Sequence, residues 1–357
     1  MNYTNAILYH FSGTGNARRA AIWMKDRLCA ADVPAEIHAI TIGTKAQPVA
    51  DDSRPLIGFF FPAHGFTTIW AMLRFILLFP RAKTRTDVFG LCTRAGLKYG
   101  RVYIPGYEGG GLILPLLILW LKGYRVAGSM PLDMPSNWMS LHSSLAREKC
   151  VAMAERCRAK VEAYADRMLA GEWAIHGWAM LPLGALLLLF APVYLIFGRL
   201  GLSKTLMATT KCRRCGMCAR NCPVHAIRFV DGRPYWTFNC ESCMRCISYC
   251  PRNAIQASWP LAAVFYLATC GRRGWSLLHR LEELIGIRSL AERSVALDWL
   301  FYIGYYFLAI FVVYGVFHFL IRFKPINLLF EYTTPTRWYK RYREPGTKVA
   351  DFADDRK

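Results

Sequence analysis

The chain has 357 residues, of which 54% are hydrophobic and 19% are charged, and its 45 Lys and Arg against 24 Asp and Glu give a formal charge of +21. This apolar composition excludes a disordered chain, and the length excludes a small disulfide-stapled scaffold. Because the basic residues are spread over every polar section, they favour an anionic membrane surface or an acidic partner over nucleic acid. The N-terminus lacks the regions of a secretory signal, so we expect the chain to start in the cytoplasm.

The first elements are a strand, a polar turn and a helix. Residues 5–11 predict a buried strand, Ser12-Gly13-Thr14-Gly15-Asn16 forms the turn, and helical periodicity follows. Backbone N–H groups and hydroxyls in such a turn bind phosphate at a helix N-terminus. The turn lacks the Lys of a P-loop and does not fit G-x-G-x-x-G, which argues against ATP and dinucleotides.

Further strands and helices alternate up to about residue 170. This alternation predicts an α/β fold with a doubly wound parallel sheet and a ligand at the carboxyl ends of its strands. The predicted strands are 35–40, 55–61, 87–93 and 124–130, and the predicted helices are 69–79, 110–122 and 143–169.

The turn matches the flavodoxin motif [ST]-x-T-G-N, and residues 1–172 resemble that family. The resemblance implies FMN, with its phosphate on Ser12, Gly13, Thr14, Gly15 and Asn16. It also implies that two further loops, 62–67 and 93–100, grip the flavin, although the alternative of an empty or repurposed turn stays open. Flavodoxins are usually acidic, whereas residues 1–172 carry 21 basic and 13 acidic side chains. The candidates for contact with the flavin ring are His64, Gly65, Phe66, Thr93 and Tyr99.

Two long stretches carry no Asp, Glu, Lys or Arg. They cover residues 173–198 and 299–321, and both exceed the ~20 residues that a helix needs to cross a bilayer. The alternative is a pair of buried core helices, but soluble helices rarely lack a polar face over such a length. Pro182 and Pro192 favour kinks in the first stretch. We expect membrane lipid contact at both stretches.

Eight cysteines form two matched halves 28 positions apart, each reading Cys-x-x-Cys-x-x-Cys-x-x-x-Cys-Pro. In such a half, three cysteines bind one [4Fe–4S] cluster and the fourth reaches the other cluster. Zinc is the alternative, but zinc sites usually pair two Cys-x-x-Cys units. The pattern resembles bacterial two-cluster ferredoxins, which predicts a small α+β domain. The predicted ligands are Cys212, Cys215, Cys218 and Cys250 for one cluster and Cys240, Cys243, Cys246 and Cys222 for the other.

The whole order resembles the flavodoxin–ferredoxin fusion family of iron–sulfur flavoproteins, here with hydrophobic membrane-associated helices. The resemblance implies electron transfer between FMN and two [4Fe–4S] clusters, to or from a redox partner protein. A reductase with its own small or lipidic substrate and a cluster-based redox sensor stay open as alternatives. No nucleotide fingerprint indicates direct use of NAD(P)H. Arg213, Arg214, Arg220 and Arg245 form a basic rim, which is either a solvated face or a docking surface for an acidic partner.

Topology limits how the first apolar stretch meets the membrane. A simple crossing would separate the two redox domains, and the 15 Lys and Arg of residues 199–297 favour the cytoplasmic side. We therefore expect a membrane-associated protein with both redox domains on the cytoplasmic side and a first stretch that does not simply cross. The predicted sections are 1–172, 173–199, 205–258, 259–297, 298–322 and 323–357.

Overall fold

The computed structural model describes residues 3–47, 54–177, 180–286 and 294–354. Its N-terminal part is a sheet flanked by helices. The strands are β1 (Asn5–His10), β2 (Ala35–Ala39), β3 (Pro55–His64), β4 (Thr67–Thr68), β5 (Asp87–Tyr99), β6 (Val102–Ile104), β7 (Arg125–Pro135) and β8 (Ala174–Ile175). The helices are α1 (Asn16–Cys29), α2 (Trp70–Leu78), α3 (Ile113–Leu121) and α4 (Arg147–Leu169).

The sheet has the strand order β2-β1-β3-β5-β7-β8, and all neighbours in that order are parallel. Its first five strands follow the 2-1-3-4-5 order of flavodoxin-like folds, so the predicted fold class is confirmed. Helices α1 and α4 pack on one face, and α2 and α3 pack on the other. Because both faces are covered, β3 is continuously apolar, and Phe59, Phe60 and Phe61 are fully buried.

Three strands, β3, β5 and β7, run well past their predicted ends. Strand β3 continues to His64 and turns back as β4, while β5 continues to Tyr99 and turns back as β6. Gly65 and Phe66 form the first turn, both with positive φ. The segments predicted as flavin-gripping loops are therefore two antiparallel hairpins that rise above the carboxyl edge of the sheet.

The cysteine-rich part folds as two similar halves. Leu206–Ala208 pairs antiparallel with Ile255–Ala257, and Ile227–Val230 pairs antiparallel with Arg233–Trp236. The short helices Met217–Arg220 and Arg245–Ser248 begin 245 − 217 = 28 positions apart, the same offset as the cysteines. The α+β architecture expected for this part of the chain is confirmed.

Two helices are long and apolar enough to cross a membrane. They are Leu181–Lys204, with 24 residues, and Val295–Leu320, with 26 residues. Only 11% and 22% of their most apolar windows are buried inside the protein, so both helices expose most of their apolar surface. The first helix contains a 3₁₀ turn and a π segment on either side of Pro192, in agreement with the predicted irregularity.

The remaining elements connect these parts. Helices Trp259–Thr269 and Arg272–Leu284 occupy most of the predicted section 259–297, whose residues 287–293 lie outside the described part. The section predicted as a polar tail instead begins with helix Lys324–Tyr332 and then packs across both domains. Tyr342 in this C-terminal segment is buried, as is Phe352.

Candidate functional site

The motif cysteines line two adjoining cavities in the cysteine-rich domain. Each cavity combines three cysteines of one half with the fourth cysteine of the other half. Cys246 and Cys218 border both cavities, so the two share a wall. The first contains Cys212, Cys215, Cys218 and Cys250, and the second contains Cys222, Cys240, Cys243 and Cys246.

The chemistry of these cavities fits an iron–sulfur cluster. Burial raises the pKa of Cys218 to about 12 and that of Cys243 to about 11, so thiolates there need a bound metal cation. Within the described part of the chain, no three His, Cys, Asp or Glu side chains converge closely enough for a single metal ion. Arg341 Nη1 is buried without a hydrogen-bond partner, and Cys246 and Cys250 lie near its guanidinium. An anionic cluster on these cysteines would supply the missing counter-charge.

Arg245 joins the two cavities to the sheet domain. Its side chain is 6% exposed and lines both cavities. Nη1 donates to the carbonyl oxygen of Asn221 at 3.0 Å, Nε donates to that of Gly13 at 3.1 Å, and Nη2 donates to that of Ser12. The predicted basic rim is therefore wrong for Arg245, which is an interdomain residue.

The predicted phosphate turn is buried, and its side chains and several of its carbonyl oxygens have protein partners. Ser12 Oγ accepts a hydrogen bond from Gly15 N at 3.1 Å. Thr14 Oγ1 accepts from Asn137 Nδ2, and the Thr14 carbonyl oxygen accepts from Tyr249 OH at 2.9 Å. Thr14 is 0% exposed, so this turn does not open to solvent.

The last two motif residues contact the C-terminal segment. Asn16 Nδ2 donates to the Pro135 carbonyl oxygen at 3.1 Å, and Asn16 Oδ1 accepts from Tyr342 OH. A methyl group at Gly15 would lie 2.7 Å from Glu344 Cβ, so the C-terminal segment covers the turn closely. The surroundings of residues 12–16 therefore do not fit the predicted FMN phosphate, because the C-terminal segment and the cysteine-rich domain cover the turn.

The candidates for flavin-ring contact on the first hairpin are packed against protein. His64 stacks on Trp138 with ring centroids 5.8 Å apart, and burial lowers the pKa of His64 to about 4. A methyl group at Gly65 would lie 2.2 Å from the ring of Tyr194, which belongs to helix Leu181–Lys204. Phe66 is half exposed beside Tyr107. The prediction that these three residues flank a flavin is not supported by their surroundings.

The candidates on the second hairpin lie apart from one another. Thr93 is buried within β5, whereas Tyr99 at the hairpin end is 81% exposed. The ammonium group of Lys149 lies 5.7 Å from the Tyr99 ring. A continuous strand, rather than a loop, separates the two side chains, and their contact with a flavin ring stays a prediction.

A cavity of about 540 Å³ lies between the two domains, and sequence reasoning missed it. The Glu241 carboxylate is nearly fully buried there, and its Oε1 lies 3.0 Å from Arg199 Nη1. Burial raises the pKa of Glu241 to about 7. The one sequence feature that marks Glu241 is its position directly after the predicted ligand Cys240, and that position does not predict a cavity. The lining includes Lys45, Trp70, Arg74, Arg199, Asn239 and Glu241.

Comparison with known protein families bears on the cysteine-rich domain. Residues 202–255 match the model described as "4Fe-4S dicluster domain". This part of the chain is a 4Fe–4S ferredoxin-type domain. The match covers the eight motif cysteines and supports the binding of 4Fe–4S clusters by this domain. A search of the curated proteins found no match.

Several solved structures resemble the N-terminal α/β domain. An archaeal flavodoxin is 12% identical with a TM-score of 0.28, and 45% of this chain aligns with 99% of that chain. Flavodoxin 2 from Bacillus cereus is 14% identical with a TM-score of 0.30, and 46% of this chain aligns with 99% of that chain. The Trp repressor binding protein from Bacillus subtilis is 10% identical with a TM-score of 0.24, covering 46% and 96%. The flavodoxin-like assignment rests on the strand order given above.

Proposed function

We propose that this protein is a membrane-attached electron-transfer protein whose ferredoxin domain holds two [4Fe–4S] clusters. The observation that carries the proposal is the pair of adjoining cavities, each lined by one predicted set of four cysteines. A [4Fe–4S] cluster accepts and releases one electron at a time. The first set is Cys212, Cys215, Cys218 and Cys250, and the second is Cys222, Cys240, Cys243 and Cys246.

The surrounding residues would tune and shield this electron path. Arg245 is buried at the shared wall, and Arg341 is buried near Cys246 and Cys250. Positive charge close to a cluster favours its reduced, more negative state and so raises its reduction potential. Cys222 and Cys240 of the second set are buried, whereas Cys215 of the first set is exposed, so the second cluster would be the better shielded from water and oxygen. Both effects suit a carrier rather than an exposed metal site.

The apolar helices would attach the protein to one side of the membrane. Along helix Leu181–Lys204, Leu188 packs against Gly110, Tyr194 packs against Gly65, and Arg199 pairs with Glu241. Both domains are thus held by one helix while they also contact each other through Arg245. A helix that crossed the bilayer between the domains would separate them. We therefore place this helix along the interface, with both domains on the cytoplasmic side as the basic residues favour.

The partner would be a redox protein that approaches the first cluster. Arg213, Arg214 and Arg220 are exposed around this cavity and suit an acidic surface. The family resemblance implies electron transfer from FMN to the clusters. The proposed function has no such step, because the turn at residues 12–16 does not fit the FMN phosphate. Electrons would pass between the partner and the two clusters.

An anaerobic reductive titration of the purified full-length protein tests this function. We expect uptake of about two electrons per chain, one for each cluster, and reoxidation by a one-electron acceptor without a specific substrate. Protein that contains iron but takes up no electrons, or protein without iron, would refute the proposal.

The interdomain cavity favours a second candidate function, a reductase with its own substrate. Its volume lies in the range of ligand pockets, and its residues Asn239 and Glu241 flank Cys240. Trp70 and the cations Arg74 and Arg199 suit a planar acceptor with carbonyl or anionic oxygens, such as a quinone.

Steady-state reduction of a short-chain quinone by the reduced protein tests the second candidate. Saturable turnover whose KM rises in Arg74→Gln but not in Arg158→Gln would support the reductase. Arg158 is an exposed control on α4. A rate that stays linear in quinone concentration, and equal in both variants, would leave the carrier function as the better account.

A further inference from the structure

The ligand crevice of the flavodoxin-like sheet is filled by the second cysteine motif. Folds of this type bind their ligand outside the carboxyl ends of the strands, where the strand order reverses. In this protein a methyl group at Gly13 would lie only 2.0 Å from the carbonyl oxygen of Cys243. The backbones of the turn and of the ferredoxin domain are thus in direct contact, and no phosphate group can pass between them.

The hydrogen bonds from the ferredoxin domain at this contact end on carbonyl oxygens of the turn. A phosphate turn offers N–H donors to its ligand. Here the ligand-side groups are themselves donors, because Arg245 donates to the carbonyl oxygens of Ser12 and Gly13, and Tyr249 OH donates to that of Thr14. The turn is therefore bound by its acceptors to a cationic side chain of the ferredoxin domain.

A buried carboxylate adds a further obstacle to phosphate. Glu344 is 2% exposed, and its backbone N donates to the Thr14 carbonyl oxygen at 3.3 Å. Its carboxylate accepts from Thr347 Oγ1 at 2.7 Å and lies 3.4 Å from Arg19 Nε. The Glu344 side chain thus fills the space beside Gly15 with a group that has no donor for a phosphate. The C-terminal segment therefore closes the side of the turn that the ferredoxin domain leaves open.

We infer that the Ser12–Asn16 turn is a docking site for the ferredoxin domain and the C-terminal segment, and that it holds no FMN phosphate. This accounts for each residue of the motif without a ligand. Gly13 and Gly15 permit the close approaches, while Ser12, Thr14 and Asn16 make the hydrogen bonds described above. The inference rests on the domain arrangement and does not require the proposed electron-transfer function.

Cofactor analysis of the anaerobically purified full-length protein tests the inference. Iron and flavin are measured separately, and FMN is then added while its fluorescence is followed. We expect about eight irons per chain, less than about 0.1 flavin, and no quenching of added FMN. About one FMN per chain, or saturable quenching, would overturn the docking role. Absence of iron would instead refute the electron-transfer proposal, so the two failures are distinguishable.

Substitution of Gly13 separates docking from phosphate binding. The flavodoxin motif accepts any residue at its second position, so Gly13→Ala should be harmless at a phosphate site. At a docking site its methyl group would collide with Cys243, and we expect at least tenfold faster loss of cluster absorbance in air. Gly304→Ala is the control, because the space around Gly304 is open. Equal rates in the two variants would contradict the inference.

A milder variant covers the case in which Gly13→Ala does not fold. Tyr249→Phe removes only the donor to the Thr14 carbonyl oxygen, and we expect about fivefold faster cluster loss. Tyr339→Phe is its control, because Tyr339 OH makes an exposed hydrogen bond to the Leu141 carbonyl oxygen. No difference between these two variants would also count against docking.

Discussion

At the residue scale, the crossed arrangement of the fourth cysteines is directly testable. Cys250→Ser should remove the cluster of Cys212, and Cys222→Ser should remove the cluster of Cys240. Each variant should retain about four irons, with a different cluster signal in electron paramagnetic resonance. Cys29→Ser should retain about eight irons, because Cys29 is an exposed thiol on α1, far from the motif in sequence. Loss of the same signal in both cluster variants would contradict the crossed arrangement.

His10 makes folding sensitive to pH. It is 1% exposed, and burial together with the charges of Arg18 and Arg245 lowers its pKa to about 3. The unfolded chain binds a proton below about pH 6.5 whereas the folded chain does not, so stability falls as the pH drops. Between pH 7 and pH 5 this group alone should cost about 2 kcal/mol. The thermal midpoint of His10→Asn should therefore fall less than that of the natural protein, and parallel pH profiles would contradict the assignment.

The residues of the site differ in how far the sequence predicts them. The cluster cysteines are recognised because ligand spacing is local and chemically specific. The Ser12–Asn16 turn is recognised as a motif, but its occupant is not, because the groups that fill it come from distant positions. Arg245 and Tyr342 are separated from their partners in the turn by 232 and 326 positions. Single-sequence patterns contain no signal for such pairings.

At the element scale, the exposed face of helix Leu181–Lys204 should control membrane attachment. Leu189 is 71% exposed and Val193 is 55% exposed. The double variant Leu189→Glu and Val193→Glu should move much of the protein to the soluble fraction after an alkaline carbonate wash, because buried carboxylates are costly in lipid. Val102→Glu is the matched control, since Val102 is 64% exposed on the β5–β6 hairpin. Retention of the double variant in the membrane would argue against this helix as an anchor.

Strand starts were predicted better than strand ends. The runs at 55–61, 87–93 and 124–130 begin close to the observed strands, because apolar residues buried on both faces have a clear pattern. Beyond Thr93 the strand continues through Arg94 and Lys98, whose polarity is typical of a loop. Pairing with β6 and a partly buried ion pair between Arg94 and Asp133 at 2.7 Å stabilise this extension. Tertiary partners therefore decide the strand ends.

At the scale of the whole molecule, the contacts between domains change the meaning of the parts. The sequence predicts a flavodoxin-like domain, a ferredoxin domain and two apolar helices, and all of these are present. Their arrangement depends on side chains such as Arg245 and on a C-terminal segment that lies across both domains. In this arrangement the flavodoxin-like domain lies against the cysteine-lined cavities and against helix Leu181–Lys204, and the carboxyl edge of its sheet contacts the ferredoxin domain.

Electron paramagnetic resonance of the fully reduced, anaerobically prepared protein tests the central claim most directly. The two cavities share the wall of Cys218, Cys246 and Arg245. We therefore expect two reduced clusters there to interact magnetically. We predict a broadened, spin-coupled spectrum that integrates to about two unpaired electrons per chain. A single uncoupled signal of about one electron per chain, or no signal in iron-containing protein, would contradict the two-cluster account.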